Sequence, residues 1–121
     1  MVKSNKLTLI PKTEQYIEYM LNVIQKMPRT EKFNIGNEYK ISMYKMLKNV
    51  MYISKISEKN KVLGFVNEMD AELNSQRIYL RIMHKNQWID DKKFNIAIGL
   101  IYEIGKIIGG LTKYYAKDIK K

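Results

Sequence analysis

Apolar residues return every three or four positions along most of the chain, in four runs separated by short polar breaks. The first run is Tyr16, Met20, Val23 and Met27, with Ile17, Leu21 and Ile24 alongside, and predicts a helix over 12–27. The second aligns Gly36, Met43, Leu47, Val50 and Ile53, widened by Tyr39 and Met46, and predicts 29–56. In the third, Val62, Val66, Met69, Leu73, Gln76, Leu80 and Met83 share one face, over 62–85. The fourth, Phe94, Ala97, Ile101, Ile104, Ile108, Leu111 and Tyr115, runs over 91–115 without a polar interruption. Ser57–Lys61 and Asn86–Asp90 break the pattern and read as short connections.

Local signals agree with this division. Pro11 and Pro28 read as helix starts, because proline is tolerated in a first turn where its missing N–H has no partner to lose. Glu14 and Glu31 then fall in first turns, where the helix dipole favours them, and Asp90 is placed to cap the fourth helix. No alternating apolar run is bounded by turn residues, so no sheet is expected. Four helices with short loops must alternate up and down. The fold expected is all-α, an antiparallel up-down four-helix bundle forming one domain over 1–121.

The fourth helix carries an anomaly. Gly99, Gly105, Gly109 and Gly110 lie within its apolar run. Each helical glycine costs about 0.5–1 kcal/mol relative to alanine. One reading ends the helix at Gly109-Gly110 as a C-cap, which leaves Gly99 and Gly105 unaccounted for. The other keeps the helix whole, its seam of Ile104 and Ile108 facing the bundle and its bare glycines meeting a further neighbour. That second reading points to a homo-oligomer.

Charge and composition narrow the function. There are 22 Lys and Arg against 12 Asp and Glu, a net charge of +10. The excess is spread along the chain and is greatest over 29–57, where Arg29, Lys32, Lys40, Lys45, Lys48 and Lys55 face only Glu31 and Glu38. A surplus of this size on one small domain points to a polyanionic partner, nucleic acid first. The sequence holds no cysteine and one histidine, His84, so thiolate chemistry is excluded and a metal centre or serine–histidine mechanism disfavoured. His84 has Arg81, not glutamate, three residues before it, so a di-iron bundle pattern fails. Glu68, Asp70 and Glu72 do not all share a helix face, and no glycine-rich phosphate loop follows a strand. Neither enzyme nor cofactor is expected. Met1–Leu9 lacks an apolar leader core, and Phe94–Leu111, with Asn95, Glu103 and Lys106, makes a poor membrane span. A cytoplasmic protein is expected.

Beside the third seam, Asp70, Asn74, Arg77, Arg81 and Lys85 recur as one polar stripe. Its three cations stack at i, i+4 and i+8 along about 12 Å of helix and repel one another. Something anionic should face them: Glu103 or Asp70 of the bundle itself, or the phosphates or acidic groups of a partner. Among nine tyrosines, Tyr114 and Tyr115 between Lys113 and Lys117 read as an exposed aromatic–basic patch, whereas Tyr16, Tyr39 and Tyr44 lie at or beside apolar stripes.

Several segments together resemble a known family. Met27-Pro28-Arg29-Thr30-Glu31-Lys32-Phe33-Asn34-Ile35-Gly36 is similar to the opening of helix two in bacterial four-helix bundles of the ribosomal-RNA intervening-sequence type. Met69–Leu73, Arg77–Arg81 and Tyr102–Gly110 resemble the branch of accessory variability determinant (Avd) proteins of diversity-generating retroelements. Lys48–Ile53 lacks the proline typical of the intervening-sequence branch at that place. The resemblance spans roughly 9–113. Lys32 and Lys106 stand where arginine is usual, Trp88 replaces a small or polar loop residue, and Thr112 stands where an aromatic is common.

The resemblance implies a non-catalytic accessory protein, assembled as a homopentameric barrel. It would bind the retroelement's reverse transcriptase and template-repeat RNA and support mutagenic cDNA synthesis. The residues then expected to face nucleic acid or the reverse transcriptase are Arg77, Arg81, Lys85, Arg29, Lys32, Lys40, Lys48 and Lys113. Gly99, Gly105, Gly109, Gly110, Ile104 and Ile108 would serve helix or subunit packing, with Asp70 and Glu103 as structural polar residues. The alternative is a general nucleic-acid-binding adaptor without a reverse transcriptase.

Overall fold

A computed structural model describes residues 2–119, with side chains described from Lys6 to Lys117; Met1, Lys120 and Lys121 lie outside it. The chain forms α1 (Val2–Gln25), a single turn α2 (Arg29–Lys32), α3 (Ile35–Lys55), α4 (Lys59–Lys85) and α5 (Asp91–Ile119), with no strand among the described residues. The four long helices pack α1 on α3, α3 on α4, α4 on α5 and α5 on α1, a square up-down bundle. The connections α1–α3 and α4–α5 lie at one end and α3–α4 at the other, so the α1–α3 side stands opposite the α4–α5 side.

The core is the set of seams read from periodicity. All seven third-run residues, Val62 to Met83, are the buried residues of α4, Gln76 among them. Phe94 is half-buried, and the other six residues of the α5 seam are buried. Burying such side chains removes apolar area from water at about 25 cal/mol per Å², and this drives the four helices together. By length and composition α5 would suffice to cross a membrane, but Ala97, Ile101, Ile104, Ile108 and Leu111 are taken up by the bundle core.

Helix boundaries depart from the sequence reading at two points. Pro11 does not start a helix: α1 begins at Val2 and carries Pro11 inside it. Proline cannot donate to the Leu7 carbonyl, but both residues are exposed and water can satisfy the freed oxygen. The helix over 29–56 is two. Gly36 of α3 lies so close to α1 that a Cβ there would stand 2.9 Å from Ile24 Cγ2, and the Glu31 carbonyl would be 3.4 Å away. The α2 turn therefore folds over the start of α3, and Asn34 leaves helical geometry at φ −106°, ψ −94°. Of the two readings of the fourth helix, the uninterrupted one over 91–115 holds: no glycine has a positive φ and α5 passes Gly109-Gly110 to reach Ile119.

The loop between α4 and α5 closes α4 with a Schellman cap. Gln87 takes φ 63°, its N–H reaching the His84 carbonyl at 3.0 Å, while the Trp88 N–H reaches the Met83 carbonyl at 2.9 Å. Trp88 packs half-buried against the core, the apolar contact that often accompanies this motif. Asp90 caps α5, its Oδ1 accepting the Lys93 N–H at 2.8 Å.

Candidate nucleic-acid interface

The basic residues fall into separate corners. At the α1–α3 side, Leu21, Gln25, Lys32, Phe33, Asn37 and Lys40 line a groove of about 360 Å³. Phe33 is 64 % exposed, in the two-residue break between α2 and α3. The Arg29 guanidinium lies 5.9 Å and the Lys32 ammonium 5.7 Å from its ring centroid, within cation–π range. Lys32 Nζ also donates to the Gln25 carbonyl at 3.3 Å, which ties α2 back to the end of α1. Two of the expected cations, Arg29 and Lys32, thus meet one exposed ring, and a third, Lys40, lines the groove beside it. The sequence reading missed Phe33 itself, because a continuous helix over 29–56 makes it one more apolar residue at the edge of a stripe.

At the opposite side, Arg77, Arg81 and Lys85 run along α4 next to α5. They do not behave alike. Arg77 is half-buried and donates through Nη1 to Asn74 Oδ1. Its Nη2 lies 3.0 Å from the place a Cβ on Gly105 would occupy, so Gly105 leaves room for the guanidinium to cross α5. Arg77 also acts electrostatically on the buried Tyr16 phenol, lowering its pKa slightly against the larger effect of burial. Arg77 is a packing residue as much as a surface cation. Arg81 and Lys85 are exposed and have no ion pair or hydrogen bond among the described residues. Neither suggested bundle carboxylate answers the row: Glu103 pairs with Lys12 of α1 at 2.8 Å, and exposed Asp70 makes no ion pair or hydrogen bond among the described residues.

Lys48 is exposed on the outer face of α3, and Lys113 lies at the far end of the bundle from Phe33, in a groove with Thr112, Ala116 and Lys117. Neither joins either corner. The patch expected at Tyr114 and Tyr115 is half what its sequence implies. Tyr115 is 5 % exposed and packs edge-on against Tyr114, which alone reaches the surface. Tyr44, read as a boundary residue, is 46 % exposed. Lys26 and Lys93, which sequence reasoning did not single out, meet in a small α1–α5 groove beside Tyr19 and Asn22. Their 67-residue separation hides the pairing; only the antiparallel register of α1 and α5 reveals it.

Of the packing residues, Ile104 and Ile108 are buried within the chain. Gly105 accommodates Arg77, and a Cβ on Gly99 or Gly109 would meet nothing within 4 Å. Between these two open positions stands Tyr102, 64 % exposed, with the Lys106 ammonium 5.7 Å from its ring.

His84 stacks on Phe94 at 4.1 Å and its Nε2 meets Asp91 Oδ1 at 2.6 Å, a joint between α4 and α5. No group of three His, Asp or Glu side chains among the described residues could hold a metal ion.

These features define a helical bundle with exposed cations and aromatic rings at its corners, a surface suited to a polyanion. The chain belongs to the bAvd-like family, whose model matches residues 7–115. No curated protein matches it.

Proposed function

We propose that this protein is a non-catalytic accessory subunit of a diversity-generating retroelement. It binds the element's reverse transcriptase and its template-repeat RNA in the cytoplasm and supports mutagenic cDNA synthesis. The family match over nearly the whole chain carries this reading. The distributed charge of +10 supports the RNA part, because each lysine or arginine placed on a phosphate releases counterions and draws the strand without reading sequence.

Two cationic corners divide the work. Arg29, Lys32 and Lys40 form one, Arg81 and Lys85 the other, and Arg77 holds α4 to α5 between the core and the second corner. The outer face of α5 supplies contact between protomers in a closed ring of five. Gly99 and Gly109, open within the chain, let a second backbone approach, with exposed Tyr102 filling the space between.

The test is co-purification of the tagged chain with the reverse transcriptase encoded beside it, with and without ribonuclease, followed by cDNA synthesis on template RNA. A stable complex and chain-dependent cDNA are expected. Failure to associate in either condition overturns the proposal.

A further inference from the structure

Phe33 is an exposed ring at the break between α2 and α3, 64 % open to solvent. The chain must break after Lys32 to let Gly36 pass Ile24, and the break turns Phe33 outward instead of into the α1–α3 seam. Around it lie Arg29 and Lys32 at cation–π distance and Lys40 across the same groove. Of the charged residues nearby, Lys32 and Lys40 line that groove, whereas Glu31, Glu38 and Arg29 do not, Arg29 meeting the ring from α2. The occupant must therefore offer a flat π-surface or apolar face to the ring and negative charge to three cations. A nucleotide does both.

We infer that Phe33 is a stacking platform for one unpaired base of a nucleic-acid strand, whose phosphates lie on Arg29, Lys32 and Lys40. This rests on the RNA reading above and narrows it to single-stranded segments. A base inside a duplex is stacked on both faces and cannot reach the ring, whereas an unpaired base can exchange a water-exposed face for Phe33. The groove, about 360 Å³, is within the range of small-ligand clefts and of the right order for one nucleotide. A guanidinium and an ammonium beside the same ring add cation–π attraction to the stack.

The experiment uses the full chain and three labelled probes: a 12-nucleotide oligoadenylate RNA carrying one 2-aminopurine, its DNA counterpart, and an RNA hairpin duplex of equal charge. Wild-type protein should bind the single strands more tightly than the duplex and quench 2-aminopurine. Phe33→Ala should weaken single-strand binding by about 5- to 100-fold and abolish quenching, with duplex binding and melting temperature unchanged. Phe33→Tyr should retain both, and Phe33→Leu, which keeps apolar bulk, should behave as Phe33→Ala. RNA and DNA arms tell which strand is held. Wild-type affinity in Phe33→Ala, with RNA still bound, overturns the platform and leaves the RNA reading intact. If the wild-type chain binds no probe, both fall. A changed assembly mass in Phe33→Ala without a change in affinity assigns the ring to a protein contact and overturns the inference.

Discussion

A directional hydrogen-bond chain runs through the middle of the bundle. Tyr39 OH donates to Tyr16 OH, Tyr16 OH to Gln76 Oε1 at 2.6 Å, Gln76 Nε2 to Ser42 Oγ at 2.9 Å, and Ser42 Oγ to Glu72 Oε1 at 2.8 Å. Gln76 Nε2 also lies 3.8 Å from Met46 Sδ and Ser42 Oγ 3.3 Å from the Glu72 carbonyl; the chain crosses α1, α3 and α4, so it fixes their mutual register. Burial raises both phenol pKa values, and Tyr39 adds to the rise at Tyr16. Because the folded pKa lies above the unfolded value of about 10, this stabilisation is complete below that pH and is lost as pH rises above it. Urea unfolding from pH 8 to 11 should show stability falling above about pH 10, less steeply in Tyr39→Phe than in wild type. Tyr16→Phe should cost about 1–3 kcal/mol, since Gln76 and Tyr39 both lose a partner; Tyr39→Phe should cost less, since only an acceptor site is vacated. Equal costs would mean the polarity assigned here is wrong. Thr13 is the counterexample: its buried Oγ1 has no hydrogen-bond partner among the described residues, so Thr13→Val should raise stability by about 1 kcal/mol in the same assay. From sequence, Gln76 was visible as a member of a buried seam. Its partners were not, because Tyr16 lies 60 residues away and Ser42 34, and periodicity carries no information across helices.

At the scale of elements, seams were readable and ends were not. Hydrophobic spacing located every long helix and the whole buried face of α4, because a 3.6-residue period repeated over many turns averages out local noise. The break at Phe33–Asn34 lacks glycine or proline at its own two positions; it arises from the Gly36–Ile24 approach, a tertiary fact. That break is what exposes Phe33, so the same blindness hid the most distinctive part of the candidate interface. The α4 cap shows the reverse case, a sequence signal absent where geometry calls for it. Gln87 occupies a left-handed position that glycine fills at lower cost. Gln87→Gly should therefore raise the unfolding free energy by up to about 1 kcal/mol, measured by denaturant titration with the slope unchanged. A loss of stability would show that the glutamine side chain contributes more than its backbone strain costs.

At the scale of the whole molecule, the open glycines of α5 separate the needs of one chain from those of an assembly. Within one chain, a methyl at Gly99 or Gly109 has free space, so alanine should only help the helix, by about 0.5–1 kcal/mol per site. By contrast Gly36→Ala should destabilise, because Ile24 Cγ2 would stand 2.9 Å from the new carbon. If α5 packs against another protomer through these bare positions, the same methyls hold the two backbones apart. The Gly99→Ala/Gly109→Ala protein should then dissociate at concentrations where wild type remains assembled, while its dissociated chain melts at a higher temperature than wild type's. Native mass spectrometry across a dilution series reads the first quantity, and thermal unfolding at the dilute end reads the second. Opposite signs are the signature of a residue kept for assembly against the interest of the single chain. An alanine protein that is more stable and assembles as wild type does would move the interface off this face. A wild-type chain with the mass of one protomer at micromolar concentration would remove the ring altogether.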